Sequence, residues 1–87
     1  MPDVVYELFF YSVALEKLGR RGISEAEARQ VPWNPHDIEP NVRAPRGSGR
    51  RLLVGETNGG RKLTLVIERT NGPTDWMVVT GWETGGG

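Results

Sequence analysis

Hydrophobic and polar positions along the chain change period several times, and each change marks an element. Val4, Val5, Tyr6, Leu8, Phe9 and Phe10 are β-branched, aromatic or aliphatic, which suits a short strand. From about Ser12 the period lengthens. Ala14, Leu15 and Leu18 follow helical spacing, with Glu16, Lys17 and Arg20 on the other side. Leu8, Phe9 and Ser12 also fit the helical period, so an earlier helix start stays open, with a short strand followed by a helix preferred.

Arg20, Arg21 and Gly22 predict where this helix ends. Cations in the last turn answer the negative end of the helix dipole, and glycine takes the left-handed cap conformation cheaply. Ser24 follows as an N-cap, with Glu27 three residues on to complete a capping box. The spacing predicts a second helix from about Glu25 to Val31, stopping before Pro32.

Residues 32–49 contain four prolines and two glycines. Proline removes a backbone donor and pushes the preceding residue toward extended geometry. A long irregular loop is expected, with a brief extended piece near Ile38 to Val42.

Beyond the loop, the stretch from Arg50 to Glu68 reads as two strands joined by a tight turn. Asn58-Gly59 is the strongest short hairpin signal, and Gly59-Gly60 also serves. Either two-residue register places Leu52 and Val54 with Leu63, Leu65 and Ile67 on the core face. Arg51, Lys62, Thr64 and Glu68 then share the wetter face with Leu53 and Val66. A three-residue turn shifts the register by one and brings Arg51 to the leucine side, which is the less favoured arrangement. A second turn, Asn71 to Asp75, leads to a third long strand over Trp76 to Trp82. The expected fold is α+β: two N-terminal helices packed on a three- to four-stranded antiparallel sheet, in one domain over residues 1–84 with a disordered tail at 85–87.

Composition narrows the function classes. The 87 residues suffice for one modest core, and 37% are hydrophobic. There is no cysteine, so disulfides and thiolate metal sites are excluded. There is neither a long apolar run nor the start of a signal peptide, so a cytoplasmic chain with no membrane association is expected. Net charge is zero, yet its distribution is uneven. Arg43, Arg46, Arg50, Arg51, Arg61 and Lys62 face only Glu56 between residues 43 and 62, a local charge of +5. Such a patch binds phosphates even on a neutral chain, although a solvated loop and strand end explain it equally well.

No strong catalytic motif is present. His36, the single histidine, sits beside Asp37 and has the chemistry of a general base, but an ordinary loop histidine is the favoured reading. One histidine and no cysteine argue against zinc, and no cofactor or metal is expected. The glycines at 55, 59 and 60 lack phosphate-loop spacing. The remaining candidates are cations. RNA is cleaved by its own 2′-hydroxyl once that group is aligned and the charge developing on phosphorus is stabilised. Arginine donors on a rigid strand supply that stabilisation. Arg51, Arg61 and Lys62 are the catalytic candidates, with Arg43, Arg46 and Arg50 as RNA contacts. Trp33, Trp76 or Trp82 offers a ring for base stacking, with core or rim packing the favoured role.

Arg20 to Ala28 (RRGISEAEA), Arg50 to Glu68 (RRLLVGETNGGRKLTLVIE) and Trp76 to Glu83 (WMVVTGWE) together resemble small BrnT-type bacterial toxins and their uncharacterised relatives of the RelE/ParE-like fold. The likeness spans most of residues 12–83. It implies the toxin of a type II toxin–antitoxin pair, an RNA endonuclease held by a cognate antitoxin, with Arg51 and Arg61 at the positions of the family's strand arginines. Two departures bear on chemistry. Relatives often carry histidine at the start of the first helix, where this chain has Val13. They tend to carry arginine after the last strand, where this chain has Gly81-Trp82-Glu83. Both departures remove groups that move protons or hold phosphate. Two functions follow: a metal-independent ribonuclease toxin, or a noncatalytic protein-interaction module on the same scaffold.

Overall fold

The computed structural model describes residues 3–41 and 49–84. In chain order the elements are β1 (Glu7–Phe10), α1 (Ser12–Arg20), α2 (Glu25–Gln30), a 3-10 turn (Val31–Trp33), β2 (His36–Pro40), β3 (Arg51–Glu56), β4 (Lys62–Arg69) and β5 (Asp75–Glu83). The five strands form one sheet in the order β1-β5-β4-β3-β2. Strands β2 to β5 are antiparallel neighbours, whereas β1 runs parallel to β5. The sheet is therefore mixed and five-stranded, which corrects the expected three- to four-stranded antiparallel one. Two strands account for the difference. The N-terminal strand enters the sheet beside β5, and part of the proline-rich loop adds β2 along the opposite edge. Pro35 precedes β2, Pro40 is its last residue, and Asp37 and Glu39 line it, features that blunt an exposed edge against further pairing.

Local signals decided the helices as expected. Ser24 accepts from the Glu27 amide at 3.1 Å, and the Glu27 carboxylate accepts from the Ser24 amide at 3.1 Å, so the capping box is complete. Gly22 ends the first helical segment at φ 72°, the left-handed conformation that glycine adopts without a Cβ penalty.

The central hairpin departs from expectation by one residue. Thr57 donates to the Arg61 carbonyl at 2.9 Å, leaving a three-residue loop, Asn58-Gly59-Gly60, with Gly60 at φ 84°. The Thr57 hydroxyl accepts from the Arg61 amide at 3.1 Å, and the Asn58 amide donates to the Gln30 side chain at 2.9 Å. These bonds hold the longer loop, and the register follows from it: Arg51 opposes Ile67, Leu53 opposes Leu65 and Gly55 opposes Leu63. Leu53, not Leu52 or Val54, is the buried large apolar side chain of β3, and Arg51 lies on the helix side.

Both helices cover one face of the sheet. Ala14 and Leu18 of α1, Ile23, Ala28 of α2 and Val31 pack with Leu8, Leu53, Leu63, Leu65, Ile67, Trp76 and Val78 into one core. Close approach is built into two glycines. A Cβ on Gly81 would stand 2.7 Å from Leu65 Cδ2 and 3.1 Å from Leu18 Cδ2. A Cβ on Gly55 would stand 2.8 Å from the His36 Cβ and 3.0 Å from Val31 Cγ1. A bulge interrupts the β4–β5 ladder, where Val66 opposes Thr80 and Ile67 opposes Val78, leaving Val79 as the extra residue.

Candidate functional site

The strand cations do not converge. Arg51 stands at the end of β3 nearest the N-terminus and gives its Nε to Asp3 Oδ2 at 3.1 Å. Asp3 is also bonded by Arg69, whose guanidinium lies over the Trp76 ring, 4.8 Å from its centroid. Arg61 stands at the hairpin tip. Its Nη1 donates to the Gly22 carbonyl at 2.7 Å and meets Glu27 Oε2 at 3.3 Å, while its Nη2 meets Glu83 Oε1 at 3.1 Å. The Glu83 carboxylate, then Glu27, raises the Arg61 guanidinium above its ordinary value. In turn the Ser24 amide, with Arg61 behind it, holds Glu27 below the usual carboxylate range.

Lys62 opposes Glu56 and points to the other side of the sheet from both arginines. Ile67, the partner of Arg51, is five residues along β4 from Lys62, about 17 Å at the strand rise. Arg51 and Arg61 therefore act as braces at opposite ends of the helix side, and Lys62 is exposed on the far side. Arg50 places Nε 3.2 Å from Glu68 Oε2. Arg43 and Arg46 lie outside the described residues.

His36 is on β2, opposite Gly55, rather than in a loop. Its Nδ1 is 2.8 Å from the Asn34 carbonyl, which fixes the tautomer with Nδ1 as donor. It lines a cleft of about 260 Å³ with Asp37, Gly55, Glu56 and Lys62. Two carboxylates against one lysine make that cleft a poor place for a phosphodiester. Among the described residues no cluster of His, Asp and Glu has the make-up of a metal site, and no helix is long and apolar enough to cross a membrane.

The surface that stands out is the sheet face that the helices leave bare. Strand pairing brings its residues into rows: Asp37, Val54, Thr64 and Trp82 across four strands, Glu39, Leu52 and Val66 beside them, and Phe9, Met77 and Glu68 at the β1 end. Phe9 is 46% exposed, Tyr11 42% and Trp82 40%. Leu52, Val54 and Met77 between them are half-buried. The Tyr11 hydroxyl donates to Glu68 Oε1 over this face. Of the tryptophans, Trp76 is core, Trp33 is 70% exposed and stacks on Tyr6 at 5.7 Å, and Trp82 belongs to the bare face.

Sequence reasoning missed this face because the hairpin register decides which apolar residues it holds. The signal available was Leu52 and Val54 interleaved with Leu53: three consecutive apolar residues cannot all point to one core. Compared with protein-family models, with curated proteins and with solved structures, the chain matches none.

Proposed function

We propose that this chain is a noncatalytic protein-interaction module that docks its partner on the bare face of the sheet. The supporting observation is the aromatic and aliphatic surface of Phe9, Tyr11, Trp82, Leu52, Val54 and Met77, which neither helix covers. An exposed apolar surface rimmed by charge is the usual mark of a protein contact. The rim selects the partner. Asp37 and Glu39 on β2 and Glu56 on β3 make the β2 side acidic. The partner is therefore a segment with an apolar row flanked by lysine or arginine, and the resemblance to toxin–antitoxin pairs makes a cognate antitoxin the natural source of such a segment. A ribonuclease needs donors gathered on one phosphate. Arg51 and Arg61 are ion-paired at opposite ends of the helix side and Lys62 faces away from them, so the geometry supports binding rather than cleavage.

The test is co-purification with the protein encoded beside this chain, followed by mapping of amide shifts. Shifts confined to the rows of Phe9, Trp82 and Asp37 support the reading. So does loss of binding in Phe9→Ser with Trp82→Ser, and a salt-sensitive weakening in Asp37→Lys with Glu39→Lys. Binding that survives all four substitutions, a dimer of this chain closing the same face, or RNA cleavage by the pure protein overturns it.

A further inference from the structure

We propose that the cleft between the end of α1 and the bulged part of β5 is a binding site for a phosphate monoester. The site lies at the edge of β5 beyond its pairing with β1, where Thr80 opposes Val66 at the border of the docking face, and it needs no protein partner. Lys17, Arg20, Arg21 and Thr80 line a cleft of about 270 Å³, and no carboxylate is among its lining residues. Arg20 is tied to Glu16 at 2.7 Å. Lys17 has no hydrogen-bond or ion-pair partner among the described residues.

Arg21 is preset for an oxyanion. Its Nη1 donates to the Gly81 carbonyl at 2.8 Å and to the Thr80 hydroxyl at 3.2 Å. A guanidinium anchored through Nη1 presents its Nε and Nη2 hydrogens as a fork, the edge that meets two oxygens of a phosphate at once. The Thr80 hydroxyl, accepting from Arg21, keeps its own hydrogen to donate. Lys17, one helical turn before Arg21, adds a point charge from the same side.

Two backbone features place these groups. Gly81, without a side chain, lets Leu18 of α1 settle against Leu65, which brings the helix end within reach of the β5 carbonyl. The bulge at Val79 re-aims Thr80 relative to a regular strand. The negative helix end alone does not call for this many cations. The Leu18 and Gly19 carbonyls at that end are already bonded by the amides of Arg21, Gly22 and Ile23 at 2.9–3.0 Å. Three cations against Glu16 leave a surplus of two positive charges beside the cleft.

Inorganic phosphate, titrated into the labelled protein at constant ionic strength and followed by amide shifts, tests the site. Saturable shifts at Arg21, Gly22, Thr80 and Gly81 are expected. Lys17→Gln, an exposed change that removes no contact in the fold, weakens binding about tenfold, and Arg21→Gln weakens it at least as much. Phe9→Ser, on β1 opposite Met77 and away from the cleft, leaves this titration unchanged, which separates the site from the docking face. Phosphoserine and glycerol phosphate as further titrants distinguish a phosphorylated amino acid from a small metabolite, the tighter one naming the source. Shifts that grow linearly without saturating, shifts centred elsewhere, or a Lys17→Gln protein that binds as tightly as the parent overturn the proposal.

Discussion

Arg61, at the hairpin tip, donates to the carbonyl of Gly22, at the junction of the two helices, at 2.7 Å. One guanidinium thus joins the β3–β4 turn to the α1–α2 turn, and through Glu27 and Glu83 it also ties in α2 and β5. Arg61→Ala is therefore expected to lower the urea midpoint clearly without changing its slope. Arg20→Ala, which removes one fully solvated helix pair, is expected to change it little. Equal midpoints for the two variants would show that the Arg61 contacts contribute no more than a surface pair.

The hairpin register makes a sharper forecast. Leu53 is fully buried among the core leucines, whereas Leu52 is half-buried on the bare face. Leu53→Ala is expected to cost about 2–5 kcal/mol through lost burial and the cavity left behind. Leu52→Ala is expected to cost roughly 1 kcal/mol. Chemical denaturation of both variants checks the order, and a reversed order would mean that the two-residue turn is the true one.

That register marks the boundary of what the residues disclose by themselves. The capping box at Ser24 and Glu27, the helix stop at Gly22 and the third strand from Trp76 rest on interactions within a few residues, and each was legible. The turn at Asn58 was not. Asn-Gly-Gly satisfies two-residue and three-residue loops alike, and the choice is made by Gln30 and Thr57, which anchor the loop from outside the pattern. Likewise β2 follows Pro35, ends on Pro40 and is largely polar, so its propensity reads as loop. It becomes a strand because Gly55 admits His36 and Val31 at close range. The candidate site shifted with the register: one residue of slip carried Arg51 to the helix side and Leu52 to the open one.

Gly81 gives a third prediction. A Cβ there would stand 2.9 Å from the Thr64 carbonyl as well as 2.7 Å from Leu65 Cδ2. Neither neighbour gives way cheaply, because one is backbone and the other a fully buried leucine. Gly81→Ala is expected to destabilise the fold by about 1–3 kcal/mol. It should also shift the amides of α1 near Leu18. A thermal midpoint equal to that of the parent would contradict the close packing of α1 on β5.

Acid stability follows from Glu27. Its carboxyl is held below its ordinary value, chiefly by the Ser24 amide and secondarily by Arg61. A carboxyl depressed in the folded state contributes stability that is complete above its unfolded value and is lost as pH falls through the folded one. Stability should therefore decline below the usual carboxylate range, and Glu27→Gln should flatten that decline. Ser24→Ala should cost about 1 kcal/mol at neutral pH and bring the Glu27 value back toward normal. A carboxyl carbon titration of Glu27 by NMR reads this directly, and an unshifted midpoint in the parent would remove the basis for the forecast.

Tyr11 responds at the other end of the pH scale. Its hydroxyl donates to Glu68, a bond the phenolate cannot make, and the Glu68 charge further disfavours ionisation, so its value is raised. A group raised in the folded state contributes stability that is complete below its unfolded value and is lost as pH rises through the folded one. Tyr11 is thus expected to ionise later than a free tyrosine, and Glu68→Gln should bring its titration earlier. The contact also bears on the docking face, because Tyr11 crosses it to reach Glu68. Tyr11→Phe keeps the ring and removes one donor from the Glu68 carboxylate, which stays paired with Arg50, so its existing charge beside Phe9 and Met77 is less fully neutralised by hydrogen bonding. A partner bearing basic residues should then bind at least as tightly as before, and more so at low salt. Weaker binding by Tyr11→Phe would mean that the hydroxyl itself contacts the partner and that the bond to Glu68 opens on docking.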